Sequence, residues 1–293
     1  MAGRLTEESF DGALADRLKM PPAAGLTFHW LGQAGFVIDI AGRRLVVDPY
    51  LSDSLAEKYR GTPRPHRRMM PPPVAPAGIA HVDYVCCTHA HTDHMDPGTL
   101  PALLAANPSA CLVAPRAMRK TALDRSGLAE SRLIAVEAGE SLELSAGLGL
   151  TATRAAHETL ERDDAGDHRF LGYCLSDGAS TLWHSGDCIP FDGLAGEIAA
   201  LRPDIALLPV NGRRPELSDN GVPGNFTLDE AVDIARAAGA SVLVAHHYGL
   251  FDFNTLEPGL IDVRAMEEAF PRLVRARQAI AFRWDMPGRS QAG

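Results

Sequence analysis

The apolar positions of this chain form short runs separated by amphipathic stretches, and this pattern predicts a mixed α/β protein. Residues 5–19 carry apolar side chains near helical spacing, which predicts a short amphipathic helix before the breaker sequence PPAAG. Three β-like runs joined by Gly-containing turns come next, namely LTFHWL, GFVIDI and RRLVVDP. A Pro- and Arg-rich loop over residues 59–80 then separates these runs from VDYVCCT, which is predicted to be a buried strand.

The remaining sequence continues to alternate between strand-like and helix-like segments. Asp96 and Pro97 are predicted to be the N-cap and first position of a helix in PGTLPALLAAN, and Thr227 and Glu230 have the spacing of a capping box. Strands are predicted in CLVAP, RLIAVE, SLELS, LGLTATRAA, HRFLGYCLS, STLWH, DIALLPV and SVLVAHH, and helices in PRAMRKTALDRSG, LAGEIAALR and TLDEAVDIARAAG. Each half supplies several strands, so we expect two sheets packed together with helices outside. This single domain would cover residues 25–293, after a helical extension of residues 1–24.

Composition and charge narrow the range of functions and cellular locations expected for this chain. The 293 residues are 46% apolar, and 37 acidic residues outnumber 28 basic ones to give a formal net charge of −9, which disfavours binding to nucleic acid. The five cysteines show no CxxC pairing, as expected in a reducing compartment. The N-terminus lacks an apolar signal region and no apolar stretch approaches membrane-spanning length. We therefore expect a cytoplasmic protein without a nucleic-acid or membrane partner.

One segment departs from the acidic average. KYRGTPRPHRR, residues 58–68, carries five Lys and Arg side chains. It is either a solvated loop or a site for an anionic group of the substrate, and Arg68 is our candidate within it for contacting such a group.

The densest cluster of candidate ligands follows VDYVCCT directly, in the stretch THAHTDHMD. Its pattern is H-x-H-x-D-H, formed by His89, His91, Asp93 and His94. Imidazole nitrogens and carboxylate oxygens suit zinc, manganese or iron, and residues at this spacing cannot share one helix face. A hydrogen-bonded polar loop is the alternative, but such a density of ligands at the end of a strand favours a loop that curls around one or two metal ions.

Three later strand ends offer further ligands. His157 follows one apolar run, Asp187 lies in a Ser-Gly-Asp turn after another, and His246 and His247 end a third. Gly186 would permit the sharp bend that aims the carboxylate of Asp187 inward.

Together these motifs resemble the metallo-β-lactamase fold. WLGQAGFVID, VVDPYLSDS, LGYCL, HSGD, LLPVNGR, GNFTLDEA and HHYGLFDFNT are similar to the branch that contains ascorbate-6-phosphate lactonase-like hydrolases, and the similarity runs from about residue 28 to 256. The resemblance implies an αββα sandwich, two mixed β-sheets flanked by helices, with metals at one edge of the two sheets.

The resemblance also implies how the ligands are divided between two divalent ions, zinc first and manganese or iron as alternatives. His89, His91 and His157 would hold one ion, Asp93, His94 and His247 the second, and Asp187 would bridge them. His247 is preferred to His246 because the family's last ligand directly precedes a turn like HYG. Asp93 would also orient the attacking hydroxide. Tyr248 is a candidate oxyanion donor or a packing residue, and Asn211, Arg213 and Asn225 are candidates for contacting the substrate.

The leading functional hypothesis is a metal-dependent hydrolase that opens a lactone or related cyclic ester. One alternative is a phosphodiesterase acting on a small nucleotide or phospholipid-type diester, since the same metals serve phosphoryl transfer. Others are an iron-dependent redox enzyme of the same fold and a binding module that keeps metal only for structure. We expect a small-molecule substrate, with an anionic group on it as an open alternative, and a homo-oligomeric protein.

Overall fold

A computed structural model of the chain describes residues 3–286, so residues 1–2 of the expected N-terminal extension and 287–293 of the expected domain lie outside the described residues. The chain forms fifteen strands in the described part. They are β1 (Arg4–Ser9), β2 (Thr27–Gly32), β3 (Gly35–Ile40), β4 (Arg43–Val47), β5 (Val82–Cys86), β6 (Cys111–Pro115), β7 (Leu133–Val136), β8 (Ser141–Ser145), β9 (Leu148–Arg154), β10 (Leu171–Ser176), β11 (Thr181–His184), β12 (Ile205–Pro209), β13 (Val242–His246), β14 (Arg272–Arg275) and β15 (Ile280–Asp285).

Eight α-helices connect these strands within the same residues. They are α1 (Leu14–Leu18), α2 (Ser54–Lys58), α3 (Leu100–Ala106), α4 (Arg119–Ser126), α5 (Leu194–Leu201), α6 (Pro215–Ser218), α7 (Leu228–Ala237) and α8 (Pro258–Glu267). None of them is long and apolar enough to cross a membrane.

The strands form two mixed sheets. The first has eight strands in the order β1-β15-β2-β3-β4-β5-β6-β7, and the second has seven in the order β14-β13-β12-β11-β10-β9-β8. Each sheet combines antiparallel hairpins with three consecutive parallel pairs, β4 to β7 in the first and β11 to β14 in the second. Parallel strands end at the same edge, so loops that follow them are brought together.

Apolar side chains fill the space between the two sheets and also the spaces between each sheet and the helices outside it. Phe28 and Phe36 of the first sheet share one core with Tyr173 and Trp183 of the second, and α5 and α7 pack on the far side. A second core lies between the first sheet and helices α1, α3 and α4. The αββα sandwich predicted from the sequence is therefore confirmed.

The N-terminal segment differs from its prediction. Residues 4–9 are a strand that pairs antiparallel with β15, Arg4 opposite Asp285, and only Leu14–Leu18 are helical. The expected helix over 5–19 is wrong because Gly12, at φ +88°, turns the chain between the two elements. Residues 4–9 thus belong to the eight-stranded sheet rather than to a helical extension.

The two predicted helix caps had different outcomes. The capping box of α7 is confirmed, since the Glu230 N–H donates to Thr227 Oγ1 at 3.3 Å and the Thr227 N–H donates to Glu230 Oε2 at 2.9 Å. Asp96 is not the N-cap of a helix at Pro97, because α3 begins at Leu100. Its carboxylate instead accepts hydrogen bonds from the Gly98 N–H and from three hydroxyl groups, those of Thr99, Ser52 and Ser54.

Candidate metal centre

The seven sequence-predicted ligands all follow strands whose ends meet at one edge of the sandwich. The loop after β5 supplies four of them, and the chain after β9, β11 and β13 supplies one each. Three overlapping groups have ligand atoms within 4.8 Å of one another. These groups are His89, His91 and His157; His89, His94 and Asp187; and Asp93, His94 and His247.

Asp187 lies between the histidines. Its Oδ2 is 3.3 Å from His94 Nε2 and 3.3 Å from His247 Nε2. The Nε2 atom of His157 is 3.6 Å from the same oxygen. One carboxylate oxygen thus faces His157 of the His89–His91–His157 group and also His94 and His247 of the Asp93–His94–His247 group. This is the geometry that a bridging ligand requires.

Asp93 faces the same cluster from the β5 loop. Its Oδ2 is 3.8 Å from His94 Nε2 and 3.8 Å from His247 Nε2. Gln33 fixes this carboxylate by donating from Nε2 to Asp93 Oδ2 at 2.9 Å, and the Gln33 carbonyl accepts the His247 N–H at 3.0 Å. The loop after β2 therefore holds in place two ligands, Asp93 and His247, of the group that they form with His94.

A buried carboxylate beneath the cluster sets the orientation of two histidines. Asp48 Oδ2, at the end of β4, lies 2.8 Å from His94 Nδ1 and accepts the Thr88 hydroxyl at 2.7 Å. Since the Thr88 proton is committed to Asp48, its oxygen accepts from His89 Nδ1 at 3.0 Å. Nδ1 of each imidazole thus carries a proton that it donates, so the neutral forms of His89 and His94 direct their Nε2 lone pairs toward the cluster.

His157 is oriented in the same way by the backbone. Its Nδ1 is 3.0 Å from the Gly224 carbonyl, which can only accept, so Nδ1 carries the proton. Among residues 3–286, the buried Nε2 atoms of His89, His94 and His247 have no hydrogen-bond partner, and the same is true of Asp187 Oδ1. Buried polar atoms left unpaired together at one point are costly unless something binds them, and their types match a divalent cation.

Burial and the carboxylates set the charges of the cluster. Burial lowers the pKa of His89 well below its usual value and that of His157 to about 4, so both imidazoles stay neutral and able to ligate. Burial opposes the charged form of His94, but Asp187, Asp48 and Asp93 raise its pKa well above the usual value. The buried carboxylates thus stabilise a positive charge at the point where the ligand atoms converge.

Gly186 has the role expected from the sequence. It lies at φ +63°, and a Cβ there would stand 2.5 Å from the Leu171 carbonyl oxygen and 2.9 Å from Thr88 Cβ. Only glycine fits this turn, which directs Asp187 toward the histidines.

The choice of His247 over His246 agrees with the geometry. His247, at φ +63°, turns into the cluster. His246 instead lies in the core, where its ring stacks on His184 at 5.0 Å and meets the edge of Phe36 at 5.2 Å.

The contacts of Tyr248 favour the packing alternative over the role of an oxyanion donor. Its ring stacks on Trp30 with centroids 5.1 Å apart, and its buried hydroxyl donates to the Ala276 carbonyl. The single phenolic proton is therefore used inside the core and is not available to a substrate.

The two arginines proposed to contact substrate are also committed elsewhere. Arg68 donates from Nε and Nη1 to the carbonyls of Met70, Tyr50 and Ser52 and lies outside the cleft lining, while its buried Nη2 has no partner among residues 3–286. Arg213 pairs with Glu230 through two hydrogen bonds of 2.6 Å at the start of α7. These guanidinium groups stabilise loops, and contact of either one with a substrate stays a prediction.

The two asparagines lie one step behind the surface. Asn225 is fully buried and donates to Asn211 Oδ1 at 3.0 Å, and Asn211 donates to Asn254 Oδ1 at 2.8 Å. Asn254 alone of the three lines the cleft. Asn211 and Asn225 therefore support the side chain that reaches the cleft instead of contacting substrate themselves.

A cleft of about 790 Å³ opens over the ligands, and His91, Asp93, His157, Asp187 and His247 form its floor. Its walls come from the loop after β4 with α2, and from residues 220–223. Sequence reasoning missed the supports Asp48 and Gln33, although Asp48 ends a strand in RRLVVDP and Gln33 follows a strand in WLGQAG. It also missed Lys58 and Arg64, the Lys and Arg side chains of the basic segment that line the cleft.

Comparison with known proteins agrees with this geometry. A model of the β-lactamase superfamily domain matches residues 43–248. A UPF0173 metal-dependent hydrolase from Metallosphaera sedula is 27% identical over 238 residues, which are 78% of this chain and 87% of the relative.

Two solved structures share the fold at lower identity. The isothiocyanate hydrolase from Delia radicum gut bacteria has a TM-score of 0.69 at 17% identity and covers 89% of this chain and 100% of its own. CmlA, a diiron beta-hydroxylase from Streptomyces venezuelae, has a TM-score of 0.63 at 14% identity and covers 90% of this chain and 55% of its own. Because the family model spans most of the chain, the protein belongs to the β-lactamase superfamily domain family and has the metallo-β-lactamase fold.

Proposed function

We propose that this protein is a metal-dependent hydrolase that opens a lactone or a related cyclic ester with water. The observation that carries the proposal is the convergence of two three-residue ligand groups on Asp187, on the floor of an open cleft. Structural metal sites are usually closed by four protein ligands, whereas this cluster faces a space that admits a substrate.

Two divalent ions held by these residues would lower the pKa of a water molecule and polarise the ester carbonyl. His89, His91 and His157 would hold one ion, Asp93, His94 and His247 the second, and Asp187 both. We propose zinc, with manganese and iron as alternatives that the same donor atoms accept.

Asp93 is the proposed catalytic group of the chain itself. Its carboxylate lies on the floor of the cleft, where it can orient the attacking water and hold the proton that water releases. Gln33 keeps one carboxylate oxygen in place by its 2.9 Å hydrogen bond, so the group does not have to be ordered during the reaction.

The choice of a lactone as substrate depends on the sequence segments that resemble lactonase-like hydrolases. The hydrolytic chemistry is supported by the metal-dependent hydrolase among the relatives. The test is metal analysis of the purified protein and turnover on sugar lactones, acyl-homoserine lactones and a chromogenic phosphodiester. We expect two ions per chain and turnover of a lactone. Turnover of the diester alone would overturn the lactonase proposal in favour of a phosphodiesterase.

Matched histidine variants test whether the cluster carries the reaction. His91→Ala removes a cluster ligand, and His81→Ala removes an exposed histidine outside it. We expect the first to lose metal and turnover and the second to retain both. Unchanged turnover after loss of metal would refute the metal mechanism.

The iron-dependent redox alternative has one structural argument, the fold shared with a diiron beta-hydroxylase. Iron in the purified protein together with oxygen consumption would establish it in place of hydrolysis. A cytoplasmic location and a homo-oligomeric state stay predictions from the sequence.

A further inference from the structure

The cleft over the ligands carries positive charge that the protein does not neutralise. Lys58 at the end of α2, Arg64 in the following loop and Arg125 of α4 line it. Within residues 3–286 none of these three side chains forms an ion pair with a carboxylate. The acidic side chains of the lining are Asp93 and Asp187, which the proposed metal ions would neutralise. In a chain of formal net charge −9, this cleft is locally positive.

The three cations differ in what they already contact. Arg125 donates from Nη1 to the carbonyls of Ala90 and Met95 and so supports the loop that bears the ligands. Arg64 donates from Nη2 to the Glu216 carbonyl at 2.9 Å and so contacts α6, which precedes residues 220–223 of the other wall. The ammonium group of Lys58 is exposed and lies 5.0 Å from the Tyr59 ring centre. Lys58 and Arg64 are therefore the pair with donors left for a ligand.

The wall that bears this pair is otherwise aromatic. The Tyr59 and His66 rings stack with centroids 4.3 Å apart, and Phe251 meets His66 edge-on at 5.1 Å. The rings of Tyr59, His66 and Phe251 thus pack against one another and form a largely apolar surface beside Lys58. Binding sites for small organic molecules commonly combine such a surface with a few charged groups that fix orientation.

The size of the cleft adds a constraint. A volume of about 790 Å³ lies within the range of pockets that hold drug-sized ligands. A bare lactone ring would leave most of this space and both cations unused. A substrate that fills this space would extend from the ligand floor toward the basic wall.

We propose that Lys58 and Arg64 form a subsite for an anionic group, a carboxylate or a phosphate, which the substrate carries away from its hydrolysed bond and joins to an apolar body lying on Tyr59, His66 and Phe251. The proposal of this subsite rests on the proposed function in one respect, the identity of the bond that is hydrolysed. The binding of the anion itself depends on the cleft and not on turnover.

The test measures equilibrium binding by calorimetry with the full-length, metal-loaded chain. The probes are phenylphosphonate, phenylacetate and neutral benzyl alcohol, which share a ring and differ in charge. Lys58→Met combined with Arg64→Met removes the pair while keeping its apolar stems. The matched control combines Arg60→Met with Arg67→Met, which makes the same change of charge in the same loop at two residues outside the cleft lining.

We expect the Lys58→Met/Arg64→Met variant to bind at least one anionic probe about tenfold more weakly, the combined effect of two exposed ion pairs. The control should change binding less than about twofold, since distant exposed charges are screened. Benzyl alcohol should bind equally to all forms. A larger loss for phenylphosphonate identifies a phosphate subsite, and a larger loss for phenylacetate identifies a carboxylate subsite.

Three results would overturn the subsite: no binding of either anion to the unchanged protein, no loss in the cleft variant, or equal losses in cleft and control variants. Arg64→Lys keeps the charge and should retain most of the binding, which separates loss of charge from a collapsed loop. Failure of every lactone to turn over would refute the proposed function while leaving these binding results intact.

Discussion

Replacing Asp48 by Asn tests whether the buried carboxylate beneath the cluster prepares the metal ligands. The change keeps the size of the side chain and substitutes an amide N–H₂ for one oxygen. In the protein, Asp48 Oδ1 accepts the Thr88 N–H at 2.7 Å, and Oδ2 accepts from the Thr88 hydroxyl and from His94 Nδ1. Three donors thus meet a group that accepts only.

Either orientation of the introduced amide leaves a conflict. With its nitrogen at the Oδ1 position, it faces the Thr88 N–H, and two buried donors oppose each other. With its nitrogen at the Oδ2 position, it faces His94, which must move its proton to Nε2 and so lose the lone pair directed at the cluster. A buried unsatisfied group costs about 1–3 kcal/mol, and loss of a support behind a metal ligand reduces affinity about 10- to 100-fold. That range corresponds to about 1.4–2.7 kcal/mol of binding free energy.

The assay is zinc affinity by competition with a chromophoric chelator, together with denaturant unfolding with and without metal. Asp96→Asn is the matched control, because Asp96 is also fully buried and accepts hydrogen bonds from hydroxyls but contacts no histidine. We expect both variants to lose stability and only Asp48→Asn to lose zinc affinity. Equal zinc affinities in Asp48→Asn and the unchanged protein would refute the reasoning.

Three further changes probe the supports and the core. Gly186→Ala should destabilise the protein by about 2 kcal/mol or more, from φ +63° and the 2.5 Å approach to the Leu171 carbonyl, and should reduce bound metal; denaturant unfolding and metal analysis check this. Tyr248→Phe should cost about 1 kcal/mol of stability and leave kcat within twofold, whereas a tenfold drop in kcat would restore an oxyanion role. Burial lowers the pKa of His29 from 6.5 to about 4, so between these values the unfolded chain binds a proton that the folded chain does not, and stability falls as the pH drops. His29→Gln should weaken this loss by on the order of 2 kcal/mol between pH 7 and 4.5, and an unchanged pH profile of unfolding would contradict it.

The candidate ligands could be located from sequence because each one lies in a loop or turn that follows an apolar run. Strand ends are visible locally, and in a mixed sheet the ends of neighbouring parallel strands meet at one edge. Asp187 illustrates the strength of this signal, since its Gly-Asp turn after a strand pointed to the inward bend that Gly186 makes.

Partners far apart in the sequence account for the errors. The pairing of Arg4 with Asp285 joins the two ends of the described chain, and a local window at residues 5–19 contains no trace of it. Arg213 and Arg68 carry charges suited to a substrate, but Arg213 pairs with Glu230, and Arg68 donates hydrogen bonds to three backbone carbonyls. The direction of a long side chain depends on such partners, so residue type alone does not identify the lining of a cleft.

The proposed chemistry and the proposed selectivity are supported by different parts of the chain. The ligands rest on strand ends and on the buried carboxylate of Asp48, where a small displacement leaves a polar atom without a partner. Lys58 and Arg64 lie on a surface segment between β4 and β5, where side chains are partly exposed and the cost of substitution is low. The floor of the cleft is therefore constrained by folding itself, whereas its basic wall can change without disturbing the metal ligands. Substitutions at Lys58 and Arg64 should therefore alter which anionic group is bound while the ligand cluster keeps its geometry.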